Sequence, residues 1–227
     1  MQRKFFLYVF FLALVTDLVA ISSNNKSIQF IAKPLILASL IVYFIFQSEH
    51  RNKKLRVYIG AGLLFSLAGD ILLMFDADPR FFLYGLSAFL LAHIFYILFF
   101  FSVLKKEKIP PDSRLFLLVA IYYAVLVFLL YPGLGEMKLP VLIYGFIIST
   151  MFVLALHMPV MAYREAGKQL ALGAAFFVLS DSLLAFNKFY HAFPYAGIFI
   201  MLTYGAAQFC ILTGGLNYLS EKVKIRI

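Results

Sequence analysis

The chain has 227 residues, of which 63% are hydrophobic and only 14% are charged, and its mean hydropathy is +0.93. This balance excludes an ordinary soluble domain, in which about half of the residues are apolar and about a quarter are charged. It indicates an integral membrane protein without a sizeable domain outside the membrane, because each spanning helix uses about 20 residues. The net charge of +9 does not indicate nucleic acid binding, since the cations lie in short loops.

Eight apolar segments follow one another along the chain and predict an all-α, polytopic membrane bundle of about eight helices, a single domain over residues 1–227. The segments are approximately 5–21, 34–47, 57–75, 81–103, 115–131, 139–162, 170–187 and 194–216. Short loops rich in Pro, Gly, Asn and Lys join them at 22–33, 48–56, 76–80, 105–114, 131–138, 163–169 and 188–193. The basic start Gln2-Arg3-Lys4 is also typical of a signal peptide. We favour a retained first helix, because the chain then divides into two equal halves.

Lysine and arginine are distributed unequally between the two sides of the predicted bundle. Fifteen of the 20 lie at the termini and in the second, fourth and sixth loops, and five lie in the other loops. Because positively charged loops stay in the cytoplasm, this distribution places both termini there. Short loops and the lack of eukaryotic sorting motifs favour a bacterial inner membrane.

A weak internal repeat relates the two halves. Residues 67–73 of the third segment and 179–184 of the seventh share a pattern in which an aspartate, Asp70 or Asp181, comes late in the segment. In both halves a short loop and another segment follow. Two parallel four-helix repeats, related by an axis along the membrane normal, would bring the two aspartates to similar depth on opposing helices.

Few ionisable side chains interrupt the apolar segments. Each costs at least about 2.5–3.5 kcal/mol at the centre of a membrane helix, so each requires a reason. Asp70 and Asp181 are the strongest functional candidates, because two aspartates at matched depth are poorly explained by helix packing alone. Other polar side chains at helical spacing are expected to line the same cavity: His93, Tyr96, Ser180, Tyr204 and Gln208. For Asp17 and His157 we favour hydrogen bonds between helices.

Three cations, Lys33, Arg80 and Lys188, are predicted to lie near the outer mouth above the aspartates. Any one of them could simply extend to the membrane interface. Together above a polar cavity, they suit an anionic head group such as a lipid phosphate. The sequence therefore predicts a phosphate-binding mouth, carboxylates below it and an apolar tunnel for a lipid chain.

The chemistry of such a site follows from two neighbouring carboxyl groups. In a low-dielectric site the two cannot both ionise easily, so one holds a proton while the other stays charged. This pair supplies an acid and a base for bond cleavage through an oxocarbenium-like state. The sequence contains no Gly-x-Ser-x-Gly, His-Glu-x-x-His or phosphate-loop motif, so serine hydrolase, zincin and ATPase hypotheses have no local support.

In their order along the chain, these residues resemble the YhhN/lysoplasmalogenase family over about residues 33–214. The motifs are Lys33-Pro34, Gly69-Asp70, His93 with Tyr96, Ser180-Asp181, Lys188, and Tyr204 with Gln208. The resemblance implies eight passes and hydrolysis of the vinyl ether bond of lysoplasmalogens, which releases a fatty aldehyde and glycerophosphoethanolamine or glycerophosphocholine. It also implies that Asp70 and Asp181 are the catalytic pair and that the other motif residues line the pocket. The resemblance does not fix the substrate.

Enol-ether chemistry then suggests a mechanism. A protonated aspartate gives its proton to the β-carbon of the vinyl ether, and the other carboxylate stabilises the cation and helps water attack it. This mechanism needs no metal or redox cofactor. The expected partners are a lysophospholipid substrate and membrane lipids, with no nucleic acid and no protein partner predicted.

Four other functions compete with this hypothesis. A small proton-coupled transporter is the strongest, because it also uses intramembrane Asp and His residues in parallel repeats. An intramembrane aspartyl protease would carry Gly-x-Gly-Asp, whereas Leu67 stands at the first glycine position. A zinc hydrolase would need His93 and His157, which lie singly on different segments. A retinal protein needs a lysine in the middle of a helix, and Lys188 lies at a helix end.

Overall fold

The structure is a computed structural model that describes residues 2–49, 52–75 and 77–224. These residues form eight long α-helices and no strand: α1 (Gln2–Ser22), α2 (Lys26–Ser48), α3 (Lys53–Leu72), α4 (Pro79–Glu107), α5 (Ser113–Leu130), α6 (Lys138–Leu156), α7 (Arg164–Phe189) and α8 (Ala196–Lys224). Each helix lies in a stretch long and apolar enough to cross a membrane. The predicted multi-pass, all-α membrane bundle is therefore confirmed.

A large difference from the predicted boundaries, and one that matters for the site, is at α2. This helix begins at Lys26 rather than near residue 34, so Lys33 and Pro34 lie inside it and not in the preceding loop. The Asn25 side chain caps the helix by accepting a 3.1 Å hydrogen bond from the Ile28 backbone N–H. The prediction was wrong because it took Pro34 as the start of the helix, although proline removes only one backbone donor and a packed membrane helix tolerates that loss.

Several other helix ends differ from the predicted ones. α4 starts at an Asp78 cap followed by Pro79, the arrangement that favours a helix start. α6 stops at Leu156, well before the predicted end at 162, because a 3₁₀ turn over Met158–Val160 follows it. Asp76, where the third loop was predicted to begin, lies outside the described residues.

The helices pack as two equivalent halves. In the first half, α1 packs on α2, α2 on α3 and α3 on α4; in the second half, α5 packs on α6, α6 on α7 and α7 on α8. Between the halves, α4 packs on α6 and α8 packs on α2, which are again equivalent contacts. Since both halves start at the same end of the bundle, this packing agrees with the predicted parallel repeat.

The first helices of the two halves differ in how much they bury. α1 packs on α8 as well as on α2, and it buries Phe10, Ala13, Asp17 and Ala20. α5 buries only Val119 and Leu130 and turns most of its apolar surface outward. α1 is thus an integral helix of the bundle, whereas α5 lies at its edge.

His157 connects the end of α6 to the loop between α4 and α5 through hydrogen bonds. Its Nε2 accepts a 2.9 Å hydrogen bond from the Asp112 backbone N–H, and its Nδ1 lies 2.7 Å from the Val153 carbonyl oxygen. An imidazole that accepts at Nε2 donates at Nδ1, so both ring nitrogens are used. The expected structural role of His157 is confirmed, and the residue lies at the opposite end of the bundle from the two aspartates.

Candidate active site

Asp70 of α3 and Asp181 of α7 lie near each other in the bundle interior, where they interact electrostatically. Each accepts a hydrogen bond from a phenol on another helix. Tyr204 of α8 donates to Asp70 Oδ2 over 2.7 Å, and Tyr144 of α6 donates to Asp181 Oδ2. Asp70 is only 3% exposed, and the Asp181 side chain is 16% exposed. The two carboxyls thus belong to one interior region of the bundle.

Glycines on α3 and α7 set the close helix contacts that hold the aspartates in place. A Cβ on Gly62 would lie 2.4 Å from Tyr96 Cε1, and one on Gly69 would lie 2.6 Å from Phe89 Cδ2. On α7, a Cβ on Gly173 would lie 2.8 Å from the backbone nitrogen of Ile211 on α8. At these distances a side chain would displace the Tyr96 or Phe89 ring or clash with the α8 backbone, so glycine lets α3–α4 and α7–α8 pack this closely.

His93 of α4 completes the surroundings of Asp181. Its Nε2 lies 3.9 Å from Asp181 Oδ2, and its ring contacts those of Tyr144 and Phe177 at centroid distances of 5.3 and 4.7 Å. The ring is fully buried, and among the described residues neither nitrogen has a hydrogen-bond partner. An unpartnered buried imidazole beside a carboxylate is unusual in a purely structural site.

Equivalent positions in the two halves are 111 residues apart, and this spacing relates the site residues in pairs. Asp70 corresponds to Asp181, and His93 corresponds to Tyr204. The contacts cross between the halves: Tyr204 of the second half binds Asp70 of the first, and His93 of the first half faces Asp181 of the second. The site is therefore assembled only when the two halves pack together.

An apolar pocket opens beside Asp181 between α3, α4, α6 and α7. It has about 450 Å³ of unfilled space, part of which is open to the surroundings. The lining residues are Leu73, Phe82, Leu86, Phe89, Val141, Tyr144, Asp181, Leu184, Ala185 and Phe189. A single carboxyl and phenol in an apolar wall can orient a mainly hydrocarbon ligand.

Three other predicted site residues hold the helices together and do not line this pocket. Tyr96 donates to Gln208 Oε1 over 3.0 Å, and both side chains are fully buried one helical turn further from the outer loops. The Ser180 hydroxyl donates to the Ile200 carbonyl over 3.0 Å and so ties α7 to α8. These bonds tie α8 to α4 and to α7, the helix that carries Asp181.

The three predicted cations lie in three different environments. Lys33 interacts electrostatically with Asp70. Lys188 is exposed and lies 4.2 Å from the ring centre of Phe82, which lines the pocket. Arg80 is also exposed, and it pairs with Asp78 at 2.7 Å. The Arg80 guanidinium holds the pKa of the Asp78 carboxyl below its usual range.

Sequence reasoning did not place Tyr144, Tyr122 or Asp17 in the site. Tyr144 lies 111 residues after Lys33, so the repeat spacing was the signal that could have identified it. Asp17 is fully buried, and neither of its carboxyl oxygens has a hydrogen-bond partner among the described residues. The expected hydrogen bond to Asp17 is therefore wrong; the carboxyl instead interacts electrostatically with Lys33 and Asp70.

The residues of the described ranges do not bring together three His, Cys, Asp or Glu side chains in the way that a metal site requires. His93 and Asp181 are close, but His157 lies at the other end of the bundle and uses both nitrogens in hydrogen bonds. The ligand set of the zinc-hydrolase hypothesis is thus not assembled.

Comparison with known proteins finds similarity over most of the chain. The model of the YhhN family matches residues 28–215. The mouse (Mus musculus) protein named lysoplasmalogenase TMEM86B is 32% identical over 157 residues, which are 68% of this chain and 62% of the mouse protein. The pig (Sus scrofa) protein of the same name is 30% identical over 205 residues, 89% of this chain and 82% of that protein.

A bacterial relative, named lysoplasmalogenase in Mycobacterium tuberculosis (strain CDC 1551 / Oshkosh), is 31% identical over 163 residues, 70% of this chain and 60% of that protein. The chain thus spans about three fifths of the length of the mouse and mycobacterial relatives. No solved structure matches the chain.

Proposed function

Because the chain belongs to the YhhN family, we propose that it is a membrane-embedded hydrolase of the vinyl ether bond in lysoplasmalogens. The products are a fatty aldehyde and glycerophosphoethanolamine or glycerophosphocholine. Relatives named lysoplasmalogenase support this proposal. The observation that carries it is the pair of carboxyls, Asp70 and Asp181, each bonded to a phenol and lying beside an apolar pocket.

The first chemical step is a proton transfer to carbon. One carboxyl of the pair gives its proton to the β-carbon of the vinyl ether, and the electrons of the C=C bond form the new C–H bond. The α-carbon and the ether oxygen then share the positive charge of an oxocarbenium ion. The second carboxylate stabilises this cation, which develops beside the buried Phe89 ring in the pocket wall.

The second step consumes one water molecule. Water attacks the α-carbon and gives a proton to a carboxylate of the pair, which produces a hemiacetal. The hemiacetal hydroxyl then loses its proton while the glycerol oxygen gains one and leaves, so that an aldehyde and an alcohol form. No electrons are exchanged with another molecule, and the carboxyl pair returns to its starting protonation.

The same geometry suggests where the parts of the substrate lie. The apolar wall formed by Leu86, Leu184 and Ala185 accepts hydrocarbon next to Asp181. Lys188, at the rim above Phe82, is placed to contact a head-group phosphate. We assign Tyr96, Gln208 and Ser180 to the support of the site, because their polar atoms bind other helices.

The membrane orientation is part of the proposal. Asp70 and Asp181 lie in the halves of α3 and α7 that are nearer to the third and seventh loops. With both termini in the cytoplasm and residues 1–227 as one domain, the site opens on the outer half of a bacterial inner membrane.

The first test is the release of fatty aldehyde from a lysoplasmenyl lipid by the purified protein in detergent. We expect release by the wild type and a loss of about 10²–10⁴-fold in Asp70→Asn and in Asp181→Asn, the usual range for removing acid–base catalysis. Asp112→Asn is the matched control, because Asn can still cap α5 at the far end of the bundle. Near-normal turnover in either site variant would contradict the carboxyl pair.

A second candidate, a proton-coupled transporter, is favoured by Asp17. This carboxyl is buried without a hydrogen-bond partner among the described residues and interacts with Lys33, as expected of a proton-carrying group in a membrane. Purified protein in liposomes distinguishes the two functions: a carrier moves its lipid or solute unchanged, whereas a hydrolase releases aldehyde without net transport.

A further inference from the structure

We infer that the two carboxyls have fixed and different roles, with Asp181 as the proton donor to the substrate and Asp70 as the charged carboxylate. Lys33 and Tyr144 produce this difference, because they occupy equivalent positions in the two halves and give the two carboxyls different electrostatic surroundings. This inference rests on the proposed function, since it assigns the acid and the base of that reaction.

The surroundings of Asp70 favour a negative charge. It faces Asp17 of α1, Lys33 of α2, Tyr204 of α8 and Asp181 of α7. The lysine supplies a positive charge in a medium of low dielectric constant, where opposite charges attract strongly. The Tyr204 hydroxyl adds a 2.7 Å hydrogen bond that a carboxylate accepts better than a neutral acid does. Two groups on different helices therefore stabilise the charged form of Asp70, and their effect is larger than the opposing effect of the Asp17 carboxyl.

The surroundings of Asp181 lack such a cation among the described residues. It faces His93 of α4, Tyr122 of α5, Tyr144 of α6 and Asp70 of α3. A charged Asp70 opposes a second negative charge nearby, because two like charges in one buried site repel each other. Tyr144 stabilises the charged form of Asp181 as Tyr204 does that of Asp70, so Lys33 makes the difference and the single proton of the pair resides on Asp181.

The positions of the two groups agree with these roles. Asp181 lines the apolar pocket, where the β-carbon of the substrate has to receive its proton. Asp70 does not line the pocket and is the more buried of the two. After Asp181 has given up its proton, the hydroxyl of Tyr144 stabilises the carboxylate that remains. Lys33 and Tyr144 are thus positioning residues, each acting through its own aspartate.

The test measures the pH dependence of kcat in Lys33→Met and in Tyr144→Phe. In the proposed roles, protonation of Asp70 lowers kcat at low pH (the low-pH limb), and deprotonation of Asp181 lowers kcat at high pH (the high-pH limb). Loss of Lys33 makes Asp70 easier to protonate, so the low-pH limb moves to higher pH by about one unit, and the high-pH limb is much less affected. Loss of the Tyr144 hydroxyl makes the Asp181 carboxylate less stable, so the high-pH limb moves to higher pH instead. Lys33→Arg keeps the positive charge and should restore the wild-type profile.

Matched controls use the same substitutions outside the site. Lys138→Met removes a cation that lies over Tyr131 at the same end of the bundle. Tyr123→Phe removes a hydroxyl on α5 that donates to the Leu142 carbonyl of α6, the helix that also carries Tyr144. Neither control should move a limb. The opposite pattern, with Lys33→Met moving the high-pH limb, would reverse the two roles and overturn the inference. A higher KM with both limbs unchanged would make Lys33 a head-group ligand and overturn it as well.

A second readout needs no activity, so it separates this inference from the proposed function. Infrared absorption of protonated carboxyls is titrated without substrate in an Asp17→Asn background, which removes the third buried carboxyl. We expect Tyr144→Phe, and not Lys33→Met, to move the component that titrates at the highest pH. If the wild type released no aldehyde, this pattern would still locate the proton on Asp181, and its reversal would still overturn the inference.

Discussion

The two halves of the bundle carry an aspartate at equivalent positions but surround it with different groups. Asp70 has a lysine on the preceding helix and a phenol across the interface, whereas Asp181 has a phenol on the preceding helix and an imidazole across the interface. The repeat thus supplies two equal carboxyls, and the positions beside them make the two unequal. This is how one residue type can provide both an acid and a base.

A second lesson comes from the helices that supply the groups near the two carboxyls. One residue comes from each of the eight helices: Asp17, Lys33, Asp70, His93, Tyr122, Tyr144, Asp181 and Tyr204. Tyr204 and His93 also reach the aspartate of the opposite half. Because no helix pair carries a complete set, correct packing of the whole bundle is a condition for the site.

The prediction with the largest expected change in this comparison concerns the kcat of double variants. Lys33 and Tyr204 act on the same carboxyl, so Lys33→Met and Tyr204→Phe should each lower kcat by about tenfold and be clearly non-additive together. Lys33→Met and Tyr144→Phe act on different carboxyls, so their coupling should be smaller and this double variant should lose more activity, up to about 100-fold. The measurement is aldehyde release at saturating substrate.

The control for these double variants is Tyr218→Phe, which removes a hydroxyl on the same helix as Tyr204 but bonded to Glu107. It should leave kcat unchanged, alone or with Lys33→Met. Equal coupling in both double variants would show that the environments of the two aspartates are not separate.

Much of this arrangement could be predicted from the sequence. The eight helices follow from apolar length, and Asp70 and Asp181 stand out because a carboxyl in an apolar segment is costly. Gly62 and Gly173 could be identified in the same way, because small residues at helical spacing mark close contacts between helices.

The other features of the site depend on contacts between side chains, which the sequence does not show. Arg80 was expected above the aspartates, but Asp78, only two residues away, binds its guanidinium. Tyr144 gave no signal of its own, because a tyrosine is an ordinary residue in a membrane helix and only its partner makes it functional. Lys33 was placed in a loop, since the cap that starts α2 earlier is a single asparagine side chain.

The second prediction compares the glycines of the two halves. A methyl group on Gly173 meets backbone atoms of α8, at 2.8 Å from the Ile211 nitrogen and 3.0 Å from the Ala207 oxygen. One on Gly62 meets only the Tyr96 ring. Backbone cannot move aside as a side chain can, so Gly173→Ala should cost more of the unfolding free energy, about 1–3 kcal/mol, than Gly62→Ala.

Thermal unfolding of the purified proteins in one detergent measures both variants. Gly60→Ala is the control, because its methyl group would lie 3.3 Å from the end of the Phe44 ring and should be tolerated. Equal costs at Gly62 and Gly173 would mean that the α3–α4 and α7–α8 contacts are equally rigid, contrary to this comparison.

The smallest predicted effect concerns the two exposed cations, Arg80 and Lys188. Arg80 forms an ion pair with Asp78 and keeps the pKa of that carboxyl below its usual range. The ion pair is therefore retained at all but strongly acid pH. Lys188 is not held in this way and lies over the pocket wall. Lys188→Met should therefore raise KM by at most about fivefold, the range of one exposed charge contact, and Arg80→Met by less than twofold. High salt should reduce the effect of Lys188→Met, because it screens exposed charges. Asp78→Asn removes the partner of Arg80, so Arg80 should then contribute measurably to head-group binding. A larger effect of Arg80→Met than of Lys188→Met would place the head group at the start of α4 rather than above Phe82.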